Sequence, residues 1–212
     1  MLFDLTTLDP ALGYKLMVST ITPRPIAWVV SQDAQGELNA APYSFFNAFA
    51  SDPPVIGIGV GRRPSGAAKD TRANIEATRQ FVVNLVDEDT AAAMNVTAID
   101  FPPAVNELAQ AGLTTIASAR VAPPRIAESP VAFECELLQV VDLGPHSGLV
   151  LGRIVAIHVR DSAVIDAARG YIDTPSLKLL GRMHGAGWYA RTSDLFEMPR
   201  WTLTDWQARQ GS

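Results

Sequence analysis

Residues 38–54, LNAAPYSFFNAFASDPP, mix hydroxyl, amide and aromatic side chains in a segment that three prolines interrupt. Tyr43 and Ser44 carry hydroxyls, Asn39 and Asn47 carry amides, and three phenylalanines add flat apolar faces. This mixture suits an aromatic heterocycle with polar edges. It also fits core phenylalanines with prolines at the strand ends. The stretch alone therefore predicts either a ligand-facing strand and loop or ordinary core.

Strand formers recur on both sides of this stretch. The run IAWVV at 26–30 is apolar throughout, so we expect both of its faces to be covered. In VIGIGV at 55–60, Gly57 and Gly59 share one face of a strand. They either permit something flat or a neighbouring backbone to approach closely, or they mark a bulge. Further strands are predicted at 81–86, 131–143 and 149–160, the last two as a hairpin, with helical sequence between 87 and 112. Short turns with helices as insertions predict an antiparallel barrel.

The composition indicates a globular protein. With 212 residues, 48% hydrophobic and 18% charged, the chain can bury a core without disulfides or structural metal. We expect one domain over residues 1–212, with a core at about 14–165 and a C-terminal loop and tail at 166–212. The lone Cys135 excludes an intrachain disulfide, and the three histidines lack the spacing of a helical metal pair. No metal site is expected.

The charge pattern disfavours nucleic acid as a partner. The formal net charge is −5, and the basic residues are scattered rather than gathered into a stripe. No apolar run approaches the roughly 20 residues of a spanning helix, and the first residues lack the pattern of a secretory signal. The expected location is therefore the cytoplasm, without membrane association.

A candidate phosphate site lies where a basic, glycine-rich loop becomes a helix, at Lys69, Asp70, Thr71 and Arg72. The first turn of a helix offers unpaired backbone N–H groups and a partial positive charge. Asp70 or Thr71 can cap this helix, and the plain alternative is a capped surface helix with scattered charges. A phosphate here and a ring system against 39–45 together describe the shape of flavin mononucleotide, FMN.

Five motifs in order, RPIAWV, NAAPYSFF, SDPP, KDTRANI and FVVNL, resemble the flavin reductase-like, FMN-binding split-barrel family, including its flavoredoxin-type members. The match is strong over about 20–86 and looser to about 160. The resemblance implies a mainly β fold with helical insertions, namely a six-stranded antiparallel split β-barrel with Greek-key connections. It also implies a homodimer with FMN near the subunit interface.

The resemblance further implies which residues contact the cofactor. Phosphate contacts are implied for Lys69 and Thr71, with Asn74 nearby, and for Arg24. Ring and ribityl contacts are implied for Asn39, Ala41, Pro42, Tyr43, Ser44 and Phe45. His184, in the loop GRMHGAGWYAR, is a candidate proton donor to the flavin or else a surface or interface histidine.

The activity that the resemblance implies is that of an FMN-dependent oxidoreductase of the flavin reductase type. NAD(P)H would supply electrons that pass through FMN to free flavin or another small redox substrate, and a partner monooxygenase is one acceptor that the resemblance allows. The main alternative is an FMN-binding electron carrier without NAD(P)H turnover. A third is a chain that binds another cofactor or none. No residue is assigned as a catalytic acid, base or nucleophile.

Overall fold

A computed structural model describes residues 1–63, 65–102 and 105–210. Its strands are β1 Ala27–Gln32, β2 Leu38–Tyr43, β3 Phe46–Ser51, β4 Pro54–Gly61, β5 Gln80–Asn84, β6 Thr115–Ile116, β7 Arg125–Ile126, β8 Val131–Asp142, β9 Ser147–Val159, β10 Val164–Asp166, β11 Tyr171–Ile172, β12 Leu180–Arg182 and β13 Tyr189–Arg191. Its α-helices are α1 Pro10–Thr20, α2 Asp70–Thr78, α3 Ala91–Val96, α4 Glu107–Gln110 and α5 Leu203–Gln210. Single 3₁₀ turns occupy Asp161–Ala163 and Thr174–Leu177. No helix in the described residues has the length and apolar character needed to cross a membrane.

The main sheet of the described chain has seven antiparallel strands in the order β2-β1-β5-β8-β9-β4-β3. The outermost strands, β2 and β3, are separated along the chain by only Ser44 and Phe45. The N–H of Gly59 donates to the Phe45 carbonyl at 2.7 Å and ties this corner to β4. Since the two ends of the order are consecutive in sequence, the sheet must curve until they meet, as in a barrel.

The predicted mainly β, antiparallel architecture with helical insertions is confirmed. The strand count differs from the expected six because residues 38–54, which we expected to contribute one strand, divide at Ser44 and Phe45 into β2 and β3. The predicted hairpin is β8 and β9, which pair over nearly their whole length. Among its described residues, the predicted helical stretch at 87–112 contains two short α-helices, α3 and α4.

Strand β1 is buried on both faces, as its apolar sequence predicts. Trp28 and Val30 belong to one hydrophobic cluster, whereas Ala27 and Val29 belong to another on the opposite face. The Trp28 indole Nε1–H donates to Thr97 Oγ1 at 2.9 Å, so its one polar atom is also paired. Burying such side chains stabilises the fold by roughly 1.5–3 kcal/mol each, and β1 therefore anchors β2 beside it.

Glycines let large side chains lie directly on the sheet. An added Cβ on Gly57 would stand 2.5 Å from the Phe49 ring, and one on Gly59 would stand 2.8 Å from the Cβ of Phe45. A Cβ on Gly152 of β9 would overlap the fully buried ring of Phe81. The predicted close approach over β4 is therefore made by the two phenylalanines of the 38–54 stretch.

A buried carboxylate on β8 holds a loop against the sheet. Glu134, fully buried, accepts hydrogen bonds from the N–H groups of Ala119 at 2.7 Å, Arg120 at 2.6 Å and Val121 at 3.2 Å. The His158 Nε2 lies 2.5 Å from the same carboxylate. Burial acts to raise the pKa of Glu134, but these backbone donors and His158 outweigh it and hold the pKa below its ordinary value.

Candidate cofactor site

A cavity of about 640 Å³ lies between β2, the start of α2 and residues 97–101. We call it the β2–α2 cavity. It brings together six of the residues that the sequence singles out: Asn39, Ala41, Pro42, Tyr43, Lys69 and Thr71. These residues come from two segments about 30 positions apart in the chain, and the pairing of β2 with β1 places them side by side. The volume lies within the range of small-ligand sites, roughly 300–1,000 Å³.

The wall formed by β2 presents polar side chains toward α2. Asn39, Ala41 and Tyr43 share one face of the strand because its side chains alternate. The Asn39 Nδ2 donates to the Thr71 Oγ1 at 2.8 Å, and Thr71 is 1% exposed. Burial raises the pKa of Tyr43 to about 12. Its phenol therefore keeps its proton at neutral pH and can serve as a hydrogen-bond donor.

The start of α2 is open rather than capped, which corrects our expectation that Asp70 or Thr71 caps it. The N-cap position belongs to Lys69, whose side chain makes no capping bond, and Asp70 and Thr71 are the first two helical residues. The Asp70 carboxylate instead pairs with the Arg63 guanidinium at 2.6 Å. The first-turn N–H groups of α2 thus lie beside the β2–α2 cavity, and no described side chain accepts from them.

The charges around the cavity differ in how they are paired. Arg62 contacts Asp142 at 3.2 Å, and Arg63 is neutralised by Asp70. The Lys69 ammonium has no ion pair or hydrogen-bond partner in the part of the chain that the structure describes. An uncompensated cation at the positive end of a helix makes this corner of the cavity attractive to an anion.

Comparison with known proteins identifies the chain. The family described as flavin reductase like domain matches residues 18–174. The chain belongs to this family. The family match begins 2 residues before the predicted resemblance over 20–160 and ends 14 residues beyond it. The recognition from the five motifs is confirmed.

Relatives of this flavin reductase-like chain cover nearly its whole length. An uncharacterized protein of Deinococcus radiodurans is 41% identical over 97% of this chain and 92% of the relative. The crystal structure of nitrilotriacetate monooxygenase component B from Bacillus cereus matches with a TM-score of 0.88 and 35% identity, over 93% of this chain and 98% of the other. The structure of Pseudomonas fluorescens 2-nitrobenzoate 2-nitroreductase matches with a TM-score of 0.87 and 33% identity, over 96% and 98%.

Arg24, Ser44 and Phe45 of the flavin reductase-like domain line a different cavity, of about 200 Å³. The Arg24 guanidinium is 7% exposed and donates to the carbonyl groups of Val18 at 2.8 Å, Ile21 at 2.6 Å and Met183 at 2.9 Å. These bonds tie the end of α1 to the turn after β12. In this structure Arg24 is a clamp between two segments and lies apart from Lys69.

Asn74 and His184 also lie outside the β2–α2 cavity. Asn74 donates to the Ser31 Oγ at 3.3 Å and lines a neighbouring cavity of about 170 Å³. This smaller cavity shares Asn39 with the β2–α2 cavity. His184 stacks on Trp188 in the turn between β12 and β13, with 5.9 Å between the ring centroids. His184 therefore does not line the β2–α2 cavity, although the neighbouring Met183 carbonyl accepts from Arg24 at 2.9 Å.

The sequence did not indicate one wall of the cavity. Residues 97–101 and Glu107 come from the helical insertion and face β2 across the cavity. The Glu107 Oε2 accepts from the N–H of Ala40 at 3.1 Å, so it holds the outer edge of β2. A polar residue in a helical segment gives no local signal of such a contact. Within the described residues, no three His, Cys, Asp or Glu side chains gather as a metal site.

Proposed function

We propose that this chain is an FMN-dependent oxidoreductase of the flavin reductase type, and that the β2–α2 cavity is its FMN site. One observation carries the proposal: a single cavity joins the open start of α2 to the polar face of β2, and it includes Lys69, which has no side-chain partner among the described residues. One end suits a phosphate and the other a ring with polar edges. Membership of the flavin reductase-like family supports this reading.

The proposed phosphate end consists of the first-turn N–H groups of α2, the Lys69 ammonium and the Thr71 hydroxyl. Asp70 would repel a phosphate, but its ion pair with Arg63 offsets that charge. Arg24 receives no phosphate role here because three carbonyl groups occupy its donors. Asn74 supports this end indirectly through the shared wall at Asn39.

The proposed ring and ribityl end is formed by β2. Asn39 and Tyr43 offer an amide and a neutral phenol, while Ala41 and Pro42 leave a low apolar surface between them. Pro42 has no N–H, and the N–H of Ala40 is bound by Glu107. The next backbone N–H groups along the chain are those of Ser44 and Phe45, which line the separate cavity beside Arg24, so within the β2–α2 cavity we assign the polar contacts of the ring to the Asn39 and Tyr43 side chains.

Bound FMN would supply the redox chemistry, accepting hydride from NAD(P)H and passing electrons to free flavin or another small acceptor. The chain's own residues would bind the cofactor and orient it. Lys69 and α2 would fix the phosphate, and Asn39 and Tyr43 would fix the polar edges. No side chain of the cavity is assigned as an acid or base.

The names of two structural neighbours support two classes of acceptor. Component B of a nitrilotriacetate monooxygenase supports a partner monooxygenase as the consumer of reduced flavin. A 2-nitrobenzoate 2-nitroreductase supports a small aromatic acceptor bearing a nitro group. We propose that this chain passes electrons directly to a small molecule, such as free flavin or a nitroaromatic compound, rather than to a macromolecule.

We also propose that the chain is one domain and acts as a cytoplasmic homodimer. The apolar side chains Phe45 and Phe49 are 40% and 61% exposed beside the corner between β2 and β3. An exposed apolar patch of this kind suits a protein–protein contact. The lone Cys135 is buried, as suits a reducing compartment.

Anaerobic reduction of the FMN-loaded protein tests the activity. We expect the flavin absorbance near its visible maximum to bleach when NADH or NADPH is added. Bleaching by dithionite but by neither nucleotide would contradict the reductase and leave the electron carrier. Nitrobenzoate, added afterwards, should restore the absorbance if it is an acceptor. Transfer to free flavin should instead appear as continued anaerobic oxidation of NAD(P)H when free flavin is present in excess over the protein.

A further inference from the structure

The last 18 described residues, 193–210, form a C-terminal arm. Every residue of the arm is exposed, including Phe196 at 82%, Met198 at 79% and Leu203 at 72%. Its ring contacts lie within the arm: Trp201 stacks on Trp206 at 5.6 Å, and Arg209 lies 4.1 Å from the Trp201 ring. The arm lies beyond residue 174, where the family match ends. Exposed apolar side chains in this number indicate a surface that packs against something else.

An apolar cavity opens where the arm begins. This hairpin cavity, of about 260 Å³, lies between residues 23–26 and the β12–β13 hairpin. Ile26, Val86, Leu180 and Ala190 line it with apolar groups, and Thr192 at the root of the arm stands on its rim. It is therefore an apolar site on the same chain that carries the exposed arm.

The charges of the two parts are complementary. The hairpin cavity is lined by two cations, Arg24 and Arg191, and its described lining includes no carboxylate. The first part of the arm, residues 194–198, reads DLFEM and carries two carboxylates among three large apolar side chains. Apolar groups would fill the cavity while Asp194 and Glu197 face Arg191, because Arg24 is 7% exposed and its guanidinium already donates to three carbonyl groups. Arg191 already contacts Glu88 at 3.0 Å but is 70% exposed in its side chain, so it can also meet a second carboxylate.

We propose that residues 194–198 of one copy occupy the hairpin cavity of a second copy, so that the two arms are exchanged. In the described structure the segment does not lie in the hairpin cavity of its own chain. Two copies related by a two-fold axis can each place this segment in the cavity of the other. Because the contact occurs twice in such a dimer, its contribution to the free energy of association is doubled. This inference rests on the proposed pairing of two copies and is independent of flavin binding.

A crossed disulfide between chains tests this proposal directly. Two variants, Ala190→Cys and Phe196→Cys, are prepared, and one of them carries a tag. The two variants are mixed so that their subunits exchange, and the mixture is then oxidised. Cys135 does not interfere, since it is buried and burial raises the pKa of its thiol. We expect a covalent heterodimer from the mixture, because a disulfide needs Cα atoms within roughly 7 Å. Leu203→Cys in place of Phe196→Cys is the matched control and should give much less product.

Dilution with light scattering adds a second readout on the full chain. Phe196→Ser should raise the dimer dissociation constant by at least about tenfold, as expected for an apolar anchor, whereas Leu203→Ser should change it little. A dimer that forms no crossed disulfide, or that both substitutions weaken equally, would overturn the seating of 194–198. A wild-type monomer at micromolar concentration would overturn the pairing as well. Neither result bears on FMN binding, which is read separately from the flavin absorbance.

Discussion

Replacing Lys69 with alanine would remove the one cavity cation that has no partner in the described chain, and the loss should be specific for the phosphate of FMN. A hydrogen bond to a charged group contributes roughly 1.5–3 kcal/mol. At about 1.4 kcal/mol per tenfold change, the dissociation constant of FMN should rise by about 10-fold to 150-fold. Lys69 is half-buried, and its side chain makes no hydrogen bond or ion pair with the described residues, so the variant should keep its stability.

Riboflavin, which has the ring and ribityl chain but no phosphate, provides the internal comparison. Fluorescence titration of wild type and Lys69→Ala with both ligands should show FMN weakened and riboflavin unchanged, so the preference for FMN shrinks. Lys15→Ala, on the exposed side of α1, is the matched loss of one positive charge and should leave both affinities as they are. The assignment of Lys69 to a phosphate is refuted if FMN and riboflavin weaken together, or if neither does.

Three further predictions concern stability. The pKa of Tyr43 is raised to about 12 in the folded chain, so the unfolded chain loses this proton first as the pH rises above about 10. At pH 11 this difference lowers the free energy of unfolding by about 1.4 kcal/mol. Tyr43→Phe should abolish this loss, which is measured by urea unfolding at pH 8 and pH 11. Glu134→Gln should lower the free energy of unfolding by roughly 2 kcal/mol, measured by chemical unfolding, since it weakens the hydrogen bonds that three backbone N–H groups make to the buried carboxylate. Glu136→Gln, which removes one charge of an exposed ion pair, should lower it by less than about 1 kcal/mol. Equal losses would contradict the role of the buried carboxylate. Gly152→Ala should lower the free energy of unfolding by about 1–3 kcal/mol, because the added methyl group would overlap the buried Phe81 ring. Gly187→Ala, with open space around the added methyl group, should change it little. Thermal unfolding of both variants measures the difference.

Strand positions could be read from the sequence because alternation and burial are local properties. The apolar run of β1 and the paired β8 and β9 were predicted correctly for that reason. The corner at Ser44 and Phe45 could not be read in this way. It arises because the barrel must close, and closure depends on the curvature of the whole sheet rather than on the residues at the corner.

In the candidate site, too, the residues marked by local sequence patterns were predicted, whereas contacts between distant segments were not. Asn39, Tyr43, Lys69 and Thr71 were predicted together, and the structure places them around one cavity. The predicted capping of α2 was wrong because the helix begins one residue earlier than a cap at Asp70 requires, and the Asp70 carboxylate pairs with Arg63, a contact that spacing does not reveal. The wall at 97–101 went unpredicted because its neighbours on β2 lie more than fifty residues away in the chain.

The visible absorption spectrum of the purified protein tests the central claim most directly. After incubation with excess FMN and gel filtration, the account predicts a flavin band that travels with the protein at about one FMN per chain. Protein that remains colourless after this treatment, while still folded by circular dichroism, would contradict the assignment of the β2–α2 cavity as an FMN site.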